Sequence, residues 1–405
     1  MKAVNNRIAK NTLMLYMRMI LLMAISLYTS RVILEELGVV DYGVYNVVSG
    51  FIVLLAFINS GLSSSTSRYI TYALGKGNQE TLKRVFALCL ESHIVISIVI
   101  LIIGETLGLW IVSNVLEIPA DKEIAAFWVY QCAIITTIII VWCVPYNANI
   151  IAHENMSLYA YISIFEAISK LAIVFCLPLF HANKLIAYAL MIVGVQFLIM
   201  LTYVAYNFRN YKESKPYIFF EKKMFKEIMS FAGWNLWGGL SVAMFTQGVN
   251  MLLNVFFGPV VNTARGLAVT VQNTVQQFST NFQTAINPQI IKTYANQEYE
   301  QMYGLVCRGS KFTFILLSCL IVPIISETPF ILSIWLKEVP EYTTVFVRIM
   351  LIISIIDGMS NAFMTAMVAT GDVKKYQIVL GAINLTIIPL GYIALKFCGT
   401  PVAIF

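Results

Sequence analysis

The chain alternates long apolar stretches with short polar connections. Stretches long enough to cross a bilayer, about 20 residues each, run near 11–34, 42–65, 85–113, 125–150, 157–180 and 185–207. A second group runs near 228–256, 264–288, 310–335, 343–369 and 376–397. The pattern predicts an all-α integral membrane protein with eleven spans. After the eleventh, Gly399-Thr400-Pro401 and the apolar residues to Phe405 read as a turn and the start of a twelfth, so the chain looks truncated in its last helix. The first apolar run continues to Arg31 without a small-residue cleavage site, which makes it an uncleaved span rather than a secretory signal.

The polar connections set the orientation. With the N-terminus in the cytoplasm, eighteen Lys and Arg residues fall on the cytoplasmic side. Six fall on the other (Arg31, Lys122, Lys184, Arg265, Lys337, Lys396) and three lie within spans (Arg18, Lys170, Arg348). An excess of this sign, alternating through eleven spans, is the positive-inside pattern. The most basic connection, 208–227, is expected to be a cytoplasmic linker between an N-terminal six-helix bundle at 1–207 and a C-terminal bundle at 228–405. Three matches at one place in the span order suggest that the halves are repeats: Gly38-Val39-Val40 with Gly258-Pro259-Val260, Tyr72-Ala73 with Tyr294-Ala295, and Ala152 to Tyr159 with Ala369 to Tyr376. Six is an even number, so the copies enter from the same side. They are expected to be parallel bundles related by a pseudo-two-fold along the membrane normal.

Composition closes off other classes. Of 405 residues, 59% are hydrophobic and 12% charged, about half the charge a water-soluble domain carries. A soluble domain and a disordered chain are both excluded. The net charge of +6 is placed for topology, and no nucleic-acid partner is expected. The seven cysteines are scattered in apolar runs with no CxxC pair, which argues against disulfides and zinc. There is no GxxxxGK[ST], HExxH or GxSxG, and no outer loop exceeds about a dozen residues, so neither a cofactor nor an enzymatic activity is expected.

The candidate chemistry lies in the spans, where ionisable side chains are costly. Arg18 sits eight residues beyond Lys10. Arg31 follows thirteen residues later, about 140° around the helix, so the two cannot form one compact site on span one alone. Both are candidates for an anionic substrate. Glu166 and Lys170 share a face at i and i+4 and can pair; Lys170 is a substrate candidate and Glu166 an ion-coupling candidate. Arg348 and Asp357 are half a turn out of phase, so each needs a partner elsewhere; Arg348 is a substrate candidate and Asp357 a coupling candidate. In span eight, Gln272, Gln276, Gln283 and Asn287 lie on a broad amide and hydroxyl face opposite Val271, Val275, Phe278, Phe282 and Ile286. Such a helix is expected to line a wet cavity, its amides suited to sugar hydroxyls.

Several motifs point to a family. These are Asn11-Thr12-Leu13-Met14-Leu15-Tyr16 with Arg18, then Ser30-Arg31 and Asp41-Tyr42-Gly43-Val44-Tyr45-Asn46. Later come Tyr146-Asn147-Ala148 with Ala152-His153-Glu154, and Asn281-Phe282-Gln283-Thr284-Ala285 with Asn287-Pro288-Gln289. Together they resemble the polysaccharide and O-antigen flippases of gut Bacteroidetes, within the multidrug/oligosaccharidyl-lipid/polysaccharide exporter superfamily. The resemblance implies two six-helix bundles around a V-shaped central cavity in the bacterial cytoplasmic membrane, and twelve to fourteen spans. It further implies alternating-access transfer of undecaprenyl-pyrophosphate-linked oligosaccharide, with membrane lipids and glycan-assembly proteins as partners. The alternatives are a cation-coupled multidrug exporter of the same superfamily, expected to use carboxylates in an apolar cavity, and an integral-membrane glycosyltransferase or ligase, which needs a larger outer loop.

The charge split predicts that cysteines introduced at 66–84 and 208–226, in a cysteine-free background, react with impermeant maleimide only after the membrane is opened. Reaction of the 208–226 positions from outside would reverse the orientation.

Overall fold

The computed structural model describes all residues except 1, 115–119, 180–182, 216, 218, 337–338 and 405, and gives backbone alone at further positions, chiefly 2–9 and 46–60. It contains α1 (Lys2–Gly75), α2 (Gln79–Ile103), α3 (Leu109–Asn114), α4 (Glu123–Ala152), α5 (Met156–Cys176), α6 (Lys184–Asn210), α7 (Lys222–Ala295), α8 (Tyr299–Ser326), α9 (Thr328–Trp335), α10 (Thr343–Thr370) and α11 (Lys374–Cys398). Among the described residues there is no β-strand. Eight helical segments are long and apolar enough to cross a membrane. They coincide with the apolar stretches beginning near 85, 125, 157, 185, 228, 310, 343 and 376, because in hydrocarbon only a helix satisfies its own backbone groups. One boundary shifts: the stretch expected at 310–335 ends at Ser326, and α9 resumes after a turn at Glu327.

The remaining stretches lie in the two longest helices. α1 and α7 are each 74 residues, about 110 Å if straight, several times the roughly 30 Å hydrocarbon core. Contacts show that α1 doubles back. Asn11 donates to the Glu154 carbonyl at the end of α4, and Ile70 and Ala73 pack there against Ile150 and Ala152. Ile33 and Leu37, between them, pack against Val129, Tyr130, Leu177 and Leu185 at the opposite end. There Glu36 accepts from Lys184 at 3.2 Å and Asp41 from Lys122 at 2.7 Å. One continuous helical assignment therefore makes two passes, where the sequence predicted two spans with a break.

α7 repeats this. Asn235 and Trp237 meet Gln377 and Gly381 near the α10–α11 turn, and Asn287 returns to Thr365 at that end. Val249, Leu253, Val261, Ala264 and Ala268 pack with Phe346 and Leu395 at the other. Buried Arg265 donates to the Asn250 side chain and the Thr246 carbonyl, tying the two arms together. The 264–288 stretch is the second arm, helical throughout but too polar to count among the eight.

Corresponding helices start at regular intervals: Lys2 and Lys222, Gln79 and Tyr299, Glu123 and Thr343 are each 220 residues apart, and Met156 and Lys374 are 218 apart. Two compact units result, 1–233 and 234–405. The basic connection and the first turns of α7 belong to the first unit. Met224, Phe225 and Ile228 pack into its core, and Ser65 donates to the Ile228 carbonyl. After α11, Gly399 takes a left-handed φ of 63° and residues 401–404 form a short 3-10 turn, with Ile404 packed toward Gly391.

At the linker end of the first unit, three connections are tied through one carboxylate. Glu213, buried in the turn after α6, accepts from His153 Nε2 at 2.7 Å and from Gln79 Nε2 at 2.9 Å. His153 stacks on Tyr211 at 4.1 Å. Burial raises the Glu213 pKa, but hydrogen bonds from His153, its own backbone and Gln79, with the His153 charge, outweigh it and bring the carboxyl down to about 2.

A depressed carboxyl stabilises the fold above its unfolded pKa of about 4.3 and loses that contribution as pH falls toward 2. The stability advantage of the detergent-solubilised protein over Glu213→Gln is therefore expected to be about 3 kcal/mol near neutrality. It should shrink between about pH 4.5 and pH 2, as read by thermal unfolding across pH. An advantage independent of pH would mean that the carboxylate is not what ties these turns.

Candidate functional site

A cavity of about 650 Å³ lies inside the first unit, between α1, α4, α5 and α6. Each helix contributes one stripe at helical spacing: Arg18, Leu22, Ile25, Ser26, Thr29 and Ile33 from α1; Ile140, Cys143, Val144 and Asn147 from α4; Tyr159, Ser163, Glu166 and Lys170 from α5; Gln196, Ile199 and Tyr203 from α6. Ser63, on the returning arm of α1, completes the lining. Side chains three, four and seven apart share a helix face, so four ordinary helices deliver a continuous wall.

The charged groups fall into two arrangements. Arg18 holds its guanidinium 4.4 Å above the Tyr159 ring, a cation–π contact. Its Nε is buried without a hydrogen bond, and among the described residues the side chain has no ion-pair partner. The Asn147 Oδ1 is likewise buried and unpaired. Further along α5, Lys170 Nζ donates to Glu166 Oε1 at 2.7 Å, and Gln196 Nε2 donates to the same oxygen at 2.9 Å. Tyr203 lies in the electrostatic field of both Arg18 and Glu166. The cavity thus carries two cations against one carboxylate, with the carboxylate already engaged.

The structure brings Arg18, Glu166 and Lys170 into this one cavity, and the side chain of Arg31 lies outside the described residues. The other sequence candidates belong to the second unit. Arg348 donates from Nε to the Ile325 carbonyl at 3.1 Å, and Asp357 is exposed on α10. On α7, Gln272 and Gln276 are half-buried. Gln283 differs from its neighbours: it is buried, with its amide donating to Ser279 Oγ at 3.0 Å and the Gly358 carbonyl at 3.2 Å. Gly358 also lets α10 pack closely on α8, because a Cβ there would collide with Leu317 and Thr313. The Gln283 amide therefore serves the α7–α10 contact, and Asn287 accepts there from Thr365 Oγ1 at 3.0 Å. Among the described residues, no group of His, Cys, Asp and Glu could hold a metal ion.

Sequence reasoning missed Asn147, Tyr159, Ser163, Gln196 and Tyr203 as cavity residues. For α5 a signal existed: Tyr159, Ser163, Glu166 and Lys170 are spaced four, three and four apart, a polar stripe on an otherwise apolar helix. Gln196 stands alone in an apolar run and leaves no periodic trace, and Asn147 was visible only as part of the Tyr146-Asn147-Ala148 motif.

No family model matches the chain, and no curated protein matches it by sequence. Solved structures do match in fold. A MATE protein in "the bent conformation" aligns over 100% of this chain and 93% of its own, with a TM-score of 0.83 at 11% identity. An outward-facing "multidrug resistance MATE family transporter of the MOP superfamily" aligns over 98% and 91%, with a TM-score of 0.80 at 13% identity. A "MOP superfamily transporter from Pyrococcus furiosus", described with "reverse polarity of binding pocket", aligns over 98% and 90%, with a TM-score of 0.78 at 13% identity. At these identities the likeness concerns the backbone. The chain is a multi-pass membrane protein with the fold of the MATE transporters of the MOP superfamily.

Proposed function

We propose that the protein is a bacterial cytoplasmic-membrane exporter whose N-terminal cavity takes an anionic amphiphile, an isoprenyl-diphosphate-linked oligosaccharide. The observation that carries this reading is the Arg18 guanidinium, lodged in a membrane-embedded cavity beside Tyr159 and without an anion. A guanidinium presents a planar fork of donors that matches phosphate oxygens and binds them bidentately. The aliphatic wall of Leu22, Ile25 and Ile33 suits a lipid tail. Ser26, Ser63, Ser163 and Asn147 offer hydrogen bonds to sugar hydroxyls without the desolvation cost of charge.

A second reading is a cation-coupled multidrug exporter. Two observations favour it: the solved structures of this fold include a multidrug resistance transporter, and the cavity contains a carboxylate, Glu166. The fold comparison weighs toward this second reading and the cavity charge toward the first. A cationic drug would have to enter a site with excess positive charge, where the carboxylate is held by Lys170 and Gln196.

In proteoliposomes, Arg18→Ala is expected to reduce transfer of a labelled isoprenyl diphosphate at least about tenfold, the loss of one charge-assisted bidentate contact, while Arg18→Lys retains part of it. Insertion and thermal stability should stay close to wild type. Undiminished transfer by Arg18→Ala, or efflux of a cationic dye that is lost in Glu166→Gln, would favour the drug-exporter reading instead.

A further inference from the structure

Resting on the anionic-substrate reading, we infer that the cavity is a two-station track in which Lys170 is a second phosphate ligand held in reserve by Glu166. Arg18 is the loading station and Lys170 the release station.

The spacing separates the two cations along the membrane-crossing direction. The first arm of α1 and the whole of α5 run the same way. Asn11 and the start of α5 lie at the linker end, and Ile33 and Leu177 pack together at the other. Arg18 sits over Tyr159. Glu166, which fixes the Lys170 ammonium, is seven residues further along α5, about 10 Å at 1.5 Å per residue. A single phosphate group with a hydrogen bond at each side, about 2.8 Å apiece, is shorter than that gap, so each phosphate meets the two cations in succession rather than together.

The hydrogen bonds show which member of the pair can move. Lys170 and Glu166 are both partly open to the cavity, 38% and 30% exposed. An ion pair this wet holds weakly, and the lysine ammonium rides on a flexible four-carbon stem. Glu166 is restrained separately by Gln196, which comes from α6 and is itself buried. When an anion arrives, Lys170 can leave while Gln196 keeps the carboxylate in place. An ordinary structural pair at i and i+4 needs no such third group from another helix.

The stations are unequal for an electrostatic reason. Among the described residues Arg18 has no carboxylate partner and its Nε makes no hydrogen bond, so a phosphate meets no competitor there. At Lys170 the phosphate shares its cation with Glu166 and feels that carboxylate's repulsion, so it is held loosely. Firm capture followed by loose holding is what a carrier needs at opposite ends of its path.

The test uses the purified full chain and farnesyl diphosphate, with binding measured in micelles and transfer of a fluorescent analogue measured in proteoliposomes. Lys170→Gln should bind within about threefold of wild type but transfer at least about tenfold more slowly, and Lys170→Arg should restore transfer. Glu166→Gln should bind more tightly and also transfer more slowly, because Lys170 no longer has a carboxylate to return to. Wild-type transfer by Lys170→Gln would overturn the relay. So would a binding loss in Lys170→Gln equal to that of Arg18→Ala, since the cations would then form one site. If wild type does not bind farnesyl diphosphate, or if Arg18→Ala binds it normally, the anionic-substrate reading fails along with the relay. Thermal unfolding of each variant separates these outcomes from misfolding.

Discussion

Hydrocarbon offers no hydrogen bonds, and the rest of the structure follows from that lack. Each backbone N–H and C=O must find its partner within the segment, so each described crossing is helical. α1 and α7 are the clearest result. Each crosses, reverses and returns. Side chains then hold the reversal: Glu36 with Lys184 and Asp41 with Lys122 at the bend of α1, and Arg265 with Asn250 between the arms of α7. The same constraint shapes the polar residues. Most hydroxyls in the spans donate to a carbonyl four residues back, as Ser92, Ser97, Thr137 and Ser163 do. Arg18 Nε, like His93 Nε2 and Arg265 Nε, is a buried nitrogen without such a partner; what sets Arg18 apart is that it lines the cavity.

Much of the fold was legible because apolar length is a direct reading of bilayer thickness. The spans beginning near 85, 125, 157 and 185 needed only a count. The reversals were less legible. The stretch between the spans predicted at 11–34 and 42–65 carries Gly38 and Asp41 and reads as a loop, yet its backbone is helical. The 264–288 arm shows the opposite difficulty. Its two-sided pattern was visible, yet amide periodicity does not say which amides face open space, and the buried Gln283 amide donates to Ser279 and to the Gly358 carbonyl on α10.

The cavity was half legible. Glu166 and Lys170 stand out as neighbours on one helix face, and Arg18 stands out by depth. What joins them is tertiary: Tyr159 under Arg18 and Gln196 on Glu166 come from segments far apart in the chain. A solitary amide in an apolar run has no period to detect, so its partner appears only once the helices are packed.

The regular spacing of helix starts bears on how the charge is shared. Shifted by 220 residues, Arg18 falls at Gly238; the match of Ala152–Tyr159 with Ala369–Tyr376 sets Tyr159 at Tyr376, Glu166 at Ile383 and Lys170 at Ile387. Where Arg18 lies over Tyr159 in the first unit, the Gln377 side chain lies against bare Gly238 in the second, filling the space a long cation would need. Asn384 donates to Ser241. The two units thus share an order of helices but not a charge pattern: the first gathers Arg18, Glu166 and Lys170 around a cavity, whereas in the second the Gln377 side chain so closely covers residue 238 that no side chain could be added there without displacing it.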